Sequence, residues 1–187
     1  MRFYNAMPDK NTAIDKVFKW VVDIVVVAML AVFLMNYIGL RTKVVGNSMA
    51  KELVNNDEVF IDTLIYRLKK PSRFDVISFT KQGADGGSME YIKRIIGLPG
   101  ETVEIKDGRI YIDNKLLDYN KDMEDIVNPG LASSPITLSY NEYFVIGDNW
   151  NSSEDSRSGT VENVREEEIT GKVWLVISPF VRIGLVN

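Results

Sequence analysis

The sequence predicts a mainly β chain: an antiparallel-sheet, barrel-like domain preceded by one N-terminal transmembrane helix. Three observations predict it. An unbroken apolar run, Ile24–Met35, lies near the start of the 187-residue chain. Beyond residue 41 short β-rich runs recur, separated by turn signals. Among them Asp107-Gly108 stands between Thr102–Lys106 and Arg109–Ile112, a strong short-range hairpin signal.

The elements follow in order. Residues 1–19 form an N-terminal segment and residues 20–40 the expected anchor. At ~1.5 Å per residue this stretch is long enough for a bilayer core of ~30 Å. Trp20 and Tyr37 bracket the run at interface-belt positions, and Asp23 lies close enough to one end to reach the headgroups. A cleavable signal peptide would need a small-x-small site, but the chain continues Tyr37-Ile38-Gly39-Leu40-Arg41-Thr42. A buried core helix would show a polar face, and this run has none. The flanking charges are nearly balanced: Arg2, Lys10, Lys16 and Lys19 before the run, Arg41, Lys43 and Lys51 after it. Charge alone therefore sets orientation only weakly.

Residues 41–187 read as one domain. Candidate strands are Thr42–Val45, Glu58–Asp62, Asp75–Thr80, Tyr91–Ile96, Thr102–Lys106, Arg109–Ile112, Glu142–Ile146 and Gly171–Ser178. Gly83–Ser88 reads as a hairpin tip, Asn114-Lys115 as a further turn, and Arg165–Ile169 as a short turn of helix. Residues 113–140, with Asn, Asp, Pro, Gly and paired Ser, read as a small insertion or subdomain.

Composition narrows the chemistry. The net charge is −4 and there is no basic stripe, which argues against nucleic acid as a partner. Cysteine and histidine are both absent. This excludes disulfides, thiolate nucleophiles, a Ser-His-Asp triad and histidine-ligated zinc. A hydrolase built from this chain must take its base from Lys, Asp, Glu or Tyr. No carboxylate spacing suggests a metal site, and no cofactor is expected.

Three segments stand out: Val44-Val45-Gly46-Asn47-Ser48-Met49-Ala50-Lys51-Glu52-Leu53, Tyr91-Ile92-Lys93-Arg94-Ile95-Ile96-Gly97-Leu98-Pro99-Gly100-Glu101, and Gly147-Asp148-Asn149-Trp150-Asn151-Ser152-Ser153-Glu154-Asp155-Ser156-Arg157-Ser158-Gly159. Taken singly they read as a turn, a strand with a snorkelling lysine, and a solvated or cation-binding loop. As a set they resemble the sequence blocks of type I bacterial signal peptidases, the Ser-Lys leader peptidase family, in its Gram-positive-like branch. The first block matches at Ser48-Met49 and Leu53. The second matches through Tyr91-Ile92-Lys93-Arg94-Ile95-Ile96-Gly97-Leu98-Pro99-Gly100. The third matches at Gly147-Asp148-Asn149, Ser153, Asp155, Ser156, Arg157 and Gly159.

The resemblance implies a signal-peptidase catalytic domain, residues 41–187, facing the extracytoplasmic side with residues 1–19 in the cytoplasm. Ser48 would be the nucleophile and Lys93 its general base. A serine hydroxyl needs an adjacent base, and burial among apolar groups can lower a lysine by ~3–5 units from its pKa of ~10.4. On a strand Tyr91, Lys93 and Ile95 share one face while Ile92 and Arg94 take the other. The resemblance further implies that Ser153 hydrogen-bonds the lysine, that Asp155 and Arg157 brace that loop, and that Asp148 and Asn149 shape it. The Ser48 N–H would be one oxyanion donor. An extended peptide would add as a strand between Thr42–Val45 and the segment leading to Lys93. Val44, Val45, Gly46, Met49, Leu53, Tyr91 and Ile92 would form its binding surface, for signal peptides of the Ala-x-Ala type at the lipid bilayer.

The chain departs from the family pattern at Lys51-Glu52, where Pro-Thr is expected. Gly46 lies two residues before the nucleophile, where some members place a serine. Trp150 stands for the usual Arg, and Glu101 for the usual Asp. These departures leave a second reading open: a non-catalytic assembly factor, with secretion machinery, pilins or a sortase-type protein as partner.

Overall fold

The structure, a computed structural model, describes residues 12–83, 86–119 and 124–186. The chain divides into two compact units, Met1–Ile38 and Gly39–Asn187.

The described residues of the first unit form one helix, α1 (Thr12–Ile38). Its apolar side chains, from Ile14 and Trp20 through Val27 to Leu30, are exposed. Among the described residues no helix is long and apolar enough to cross a membrane. The helix and the expected anchor at 20–40 differ in their bounds. Gly39 and Leu40 leave the helix for a strand. At the other end α1 begins at Thr12, eight residues before the expected anchor, so Asp15, Lys16 and Lys19 of the flank are helical as well.

The second unit is mainly β, and every strand pair in it is antiparallel. Its strands are β1 (Gly39–Lys43), β2 (Glu58–Asp62), β3 (Val76–Gln82), β4 (Ser88–Gly97), β5 (Thr102–Lys106), β6 (Arg109–Ile112), β7 (Lys115–Leu116), β8 (Ile136–Thr137), β9 (Glu142–Ile146), β10 (Val164–Arg165), β11 (Ile169–Ser178) and β12 (Gly184–Leu185). The larger sheet runs β1-β2-β11-β3-β4-β9-β10, with β12 also paired to β11. The smaller runs β7-β6-β5-β8.

Local sequence explains much of this. At Asp107 and Gly108 φ is +49° and +73°, the double left-handed turn that twists with the strands it joins. Asp113 and Asn114 repeat the device at φ +49° and +64°, returning β6 into β7. The expected insertion at 113–140 therefore adds both edges of the smaller sheet; its residues 120–123 lie outside those described. Arg165–Ile169, expected as a turn of helix, holds a 3-10 turn at Glu166–Glu168. The β3–β4 connection falls at the expected hairpin tip, where residues 84 and 85 lie outside those described.

Three apolar clusters hold the unit together. Val44, Met49 and Leu53 pack with Val59, Ile61, Val76, Val173 and Val176. Ile77, Phe79 and Ile95 pack with Tyr143, Val145, Val161 and Val164. A third cluster, around Ile96, Val103, Ile110 and Phe144, lies beneath the smaller sheet. The two segments that carry Ser48 and Lys93 are each rooted in one of the first two.

Candidate active site

Ser48 sits in a tight turn just after β1. Ala50 N–H donates to Asn47 O at 3.0 Å and Leu53 N–H to Met49 O at 2.8 Å. Met49 and Leu53 are almost completely buried, so the turn is pinned by its apolar members while Ser48 remains partly accessible. Loop 147–149 holds the turn from the other side. Asn149 N–H donates to Ser48 O at 2.9 Å, and Asn149 Nδ2 to Asn47 O at 3.2 Å.

Lys93 projects from the middle of β4, opposite Ile77 of β3. It is 4% exposed, and its Nζ lies 2.7 Å from Ser48 Oγ. Burial lowers its pKa to about 8, against the opposing pull of the Asp155 and Glu154 carboxylates. Nζ also stands 5.6 Å from the centre of the Tyr91 ring on the same strand face. A lysine so placed is the group that can take a proton from Ser48 near neutral pH.

The third segment supplies the frame. Arg157 donates through Nε and Nη2 to the two carboxylate oxygens of Asp155, each at 2.8 Å, and through Nη2 to Trp150 O at 2.6 Å. Asp155 Oδ2 in turn accepts from Gly147 N–H at 3.1 Å. Arg94, on the strand face opposite Lys93, makes a bidentate pair with Asp148 at 2.7 and 2.6 Å; both side chains are buried. Both aspartates of the loop are thus committed to arginines, which removes the cation-binding reading of this segment.

Ser153 departs from expectation. Its Oγ is buried and makes no hydrogen bond, while Lys93 Nζ donates to Ser48. Ser153 is nevertheless close to the pair. A Cβ built on Gly147 would lie 2.2 Å from Ser153 Oγ and 2.4 Å from Ser48 O. Only a residue without a side chain lets the third segment close on the Ser48 turn.

A groove of about 220 Å³ leads away from the pair, between β1 with the residues after it and the first half of β4. Val44, Val45, Met49, Tyr91 and Ile92 line it as expected, and so do Thr42 and Lys43 of the expected flanking strand and Glu90, none of which stood among the candidate binding residues. Their polar character hid them among the apolar candidates, although period-two alternation places Glu90 beside Ile92. Leu53 and Gly46 are not in its lining. Leu53 is fully buried and serves the turn from beneath. Gly46, at φ +86°, turns the chain, and its N–H donates to Asn55 Oδ1 at 3.0 Å.

The departure at Lys51 has a conformational counterpart. Lys51 has φ +98°, where a proline ring, fixed near −65°, cannot sit. The turn is instead tied to the C-terminal segment: Arg182 donates to Asp57 Oδ1 at 3.0 Å and to Glu52 O at 3.1 Å. Glu101, for its part, accepts from Leu98 N–H at 2.8 Å and pairs with Arg73 at 2.5 Å.

Comparison with known proteins gives a consistent picture. Residues 17–178 match the family model described as signal peptidase, peptidase S26. Signal peptidase I S of Bacillus subtilis is 31% identical over 185 residues, 93% of this chain and 96% of that protein. Signal peptidase I P of B. subtilis subsp. natto is 32% identical over 89% of this chain and 95% of its own. A crystal structure of a signal peptidase I from Enterococcus faecalis V583 is 33% identical, covers 56% of this chain and 97% of that one, and has a TM-score of 0.44.

Proposed function

The chain belongs to the peptidase S26 signal peptidase family, and we propose that Ser48 and Lys93 are the nucleophile and general base with which it cleaves signal peptides from preproteins. It is a serine endopeptidase of the type I signal peptidase kind. The observation that carries the assignment of residues is the 2.7 Å approach of a buried, pKa-lowered Lys93 to Ser48 Oγ.

The reaction runs as two acyl transfers. Neutral Lys93 takes the Ser48 proton as Oγ attacks the carbonyl carbon before the cleavage point. The Ser48 N–H steadies the developing oxyanion. The lysine ammonium then protonates the leaving amine, which departs as the new N-terminus of the mature protein. Water, deprotonated by Lys93, attacks the ester and frees the signal peptide. Ser153 Oγ, buried without a partner, accepts from the ammonium while it carries the proton. With a pKa of about 8, about one lysine in ten is already neutral at pH 7.

The signal-peptide side of the substrate lies extended in the groove, taking β1 and β4 as sheet neighbours. The shallow apolar lining of Val44, Val45, Tyr91 and Ile92 suits small residues of the Ala-x-Ala type. Residues 41–187 act on the extracytoplasmic side, and the exposed apolar residues of α1 associate with the bilayer. The relatives named as signal peptidases favour this reading over an assembly factor.

The test is cleavage of a preprotein with an Ala-x-Ala site by the full chain in detergent. Activity in the wild type that is lost in both Ser48→Ala and Lys93→Ala is expected. Cleavage that survives either substitution would overturn the residue assignment.

A further inference from the structure

The far end of the groove carries a fixed charge. Glu90 lies three residues before Lys93 on β4, about 10 Å away along an extended strand. Its carboxylate is held by two hydroxyls. Ser78 Oγ, from the buried Ser78 of β3, donates to Oε1 at 2.6 Å, and Thr42 Oγ1, from β1, donates to Oε2 at 3.3 Å. The second bond crosses the groove from one wall to the other. β9 joins β4 only from Arg94 onward, so around Glu90 β3 is the one paired neighbour of β4 among the described strands. A carboxylate has about four acceptor positions, and two hydroxyls leave room for a further donor. The other charge in the groove lining besides Lys93 is Lys43, which stands 3.7 Å from Glu58 of β2.

We propose that Glu90 is a specificity-determining residue that favours a cationic side chain on the signal peptide, four or five residues before the cleavage point. The inference rests on the peptidase reading above and deepens it. The residue before the cut stands level with Lys93, so an extended chain brings its fourth residue level with Glu90. Side chains alternate in an extended chain, so one of the fourth and fifth residues faces the carboxylate. Because Ser78 and Thr42 fix Glu90, little conformational freedom is lost when a lysine binds it. If Glu90 served only to tie Thr42 to Ser78, neutralising it would leave charge preference untouched.

The experiment uses the full chain in detergent at low salt and preproteins that differ only in Lys, Gln or Glu at the fourth or the fifth position before the cut. The readout is the ratio of kcat/KM for Lys over Glu within each enzyme, so a general loss of activity does not bear on it. The wild type is expected to favour Lys by about tenfold at one of the two positions, with the preference shrinking as salt screens it. Glu90→Gln is expected to bring the ratio to within about twofold of unity, and Glu90→Lys to invert it. A wild-type ratio near one at both positions, or a preference that survives in Glu90→Gln, overturns the assignment of Glu90 while leaving the peptidase intact. Failure of the wild type on the Gln preproteins overturns the peptidase reading itself, and this inference with it.

Discussion

Gly147→Ala is the substitution that most sharply probes how the site is assembled. The backbone at 147 lies outside the left-handed region, so alanine introduces no φ strain. Its only effect is one methyl group, placed 2.4 Å from Ser48 O and 2.2 Å from Ser153 Oγ. Each distance is more than about 1 Å below an ordinary van der Waals contact of ~3.5 Å. Ser153 can turn its Oγ away, although its Cβ at 2.8 Å moves only with the backbone; the carbonyl of Ser48 cannot turn away, because it is backbone and accepts from Asn149 N–H. The nucleophile turn and loop 147–149 must therefore part by about 1 Å. Overpacking of this kind costs about 1–3 kcal/mol, which for a domain of this size lowers Tm by roughly 2–10 °C. Catalysis should suffer more. A displacement of ~1 Å at a reacting group can cost ~100-fold in rate. The assays are thermal melting, followed by circular dichroism, and kcat/KM on a preprotein at a temperature below the melting range. The expected result is a folded enzyme with activity reduced about a hundredfold. Adding Ser153→Gly should not restore it, because the clash with Ser48 O remains. Wild-type activity in Gly147→Ala, or rescue by Ser153→Gly, would refute the close packing of turn and loop.

Two further outcomes follow from the charges around the site. The rate should rise with pH through about 8, as Lys93 becomes neutral; a flat pH–rate profile with chemistry rate-limiting contradicts its role as base. Linkage gives the matching stability effect: the folded pKa lies below the unfolded value, so the protonated form penalises folding below about pH 8 and the penalty fades as pH rises to ~10.5. Lys93→Met should therefore be inactive yet more stable than wild type by about 3 kcal/mol at pH 7, with the gain gone above pH ~10.5, as denaturant unfolding at the two pH values would measure. Asp148→Ala leaves Arg94, only 1% exposed, without its bidentate partner; unfolding free energy should fall by about 3–5 kcal/mol, and a loss below 1 kcal/mol would contradict the pair's burial.

Much of the fold can be read in local sequence. Asp107-Gly108 fixes a hairpin because two consecutive left-handed residues match the twist of the strands, and β5 and β6 fall on the expected residues. Glu58–Asp62 and Glu142–Ile146 are likewise strands as anticipated, since short apolar runs bounded by turns have few alternatives. Boundaries set by tertiary pairing are harder. β1 begins at Gly39 rather than Thr42, because its register against Asp62 of β2 continues into what reads as the end of an apolar helix. Tertiary packing also explains the misplaced site residues. Leu53 looks like a pocket residue beside Ser48, but the turn directs it into the core. Glu90 carries no signal in the local sequence, and only the approach of β1 to β4 makes it part of the groove. Arg182 lies far from Ser48 in sequence, and nothing local announces that it ties down the turn.

The central claim is that Ser48 carries the acyl group during cleavage. Acid quenching during the first turnover of a preprotein, followed by mass spectrometric mapping, tests it directly. The account predicts a signal-peptide ester on the fragment containing Ser48, absent in Ser48→Ala. An acyl group on another residue, or continued cleavage by Ser48→Ala, would contradict it.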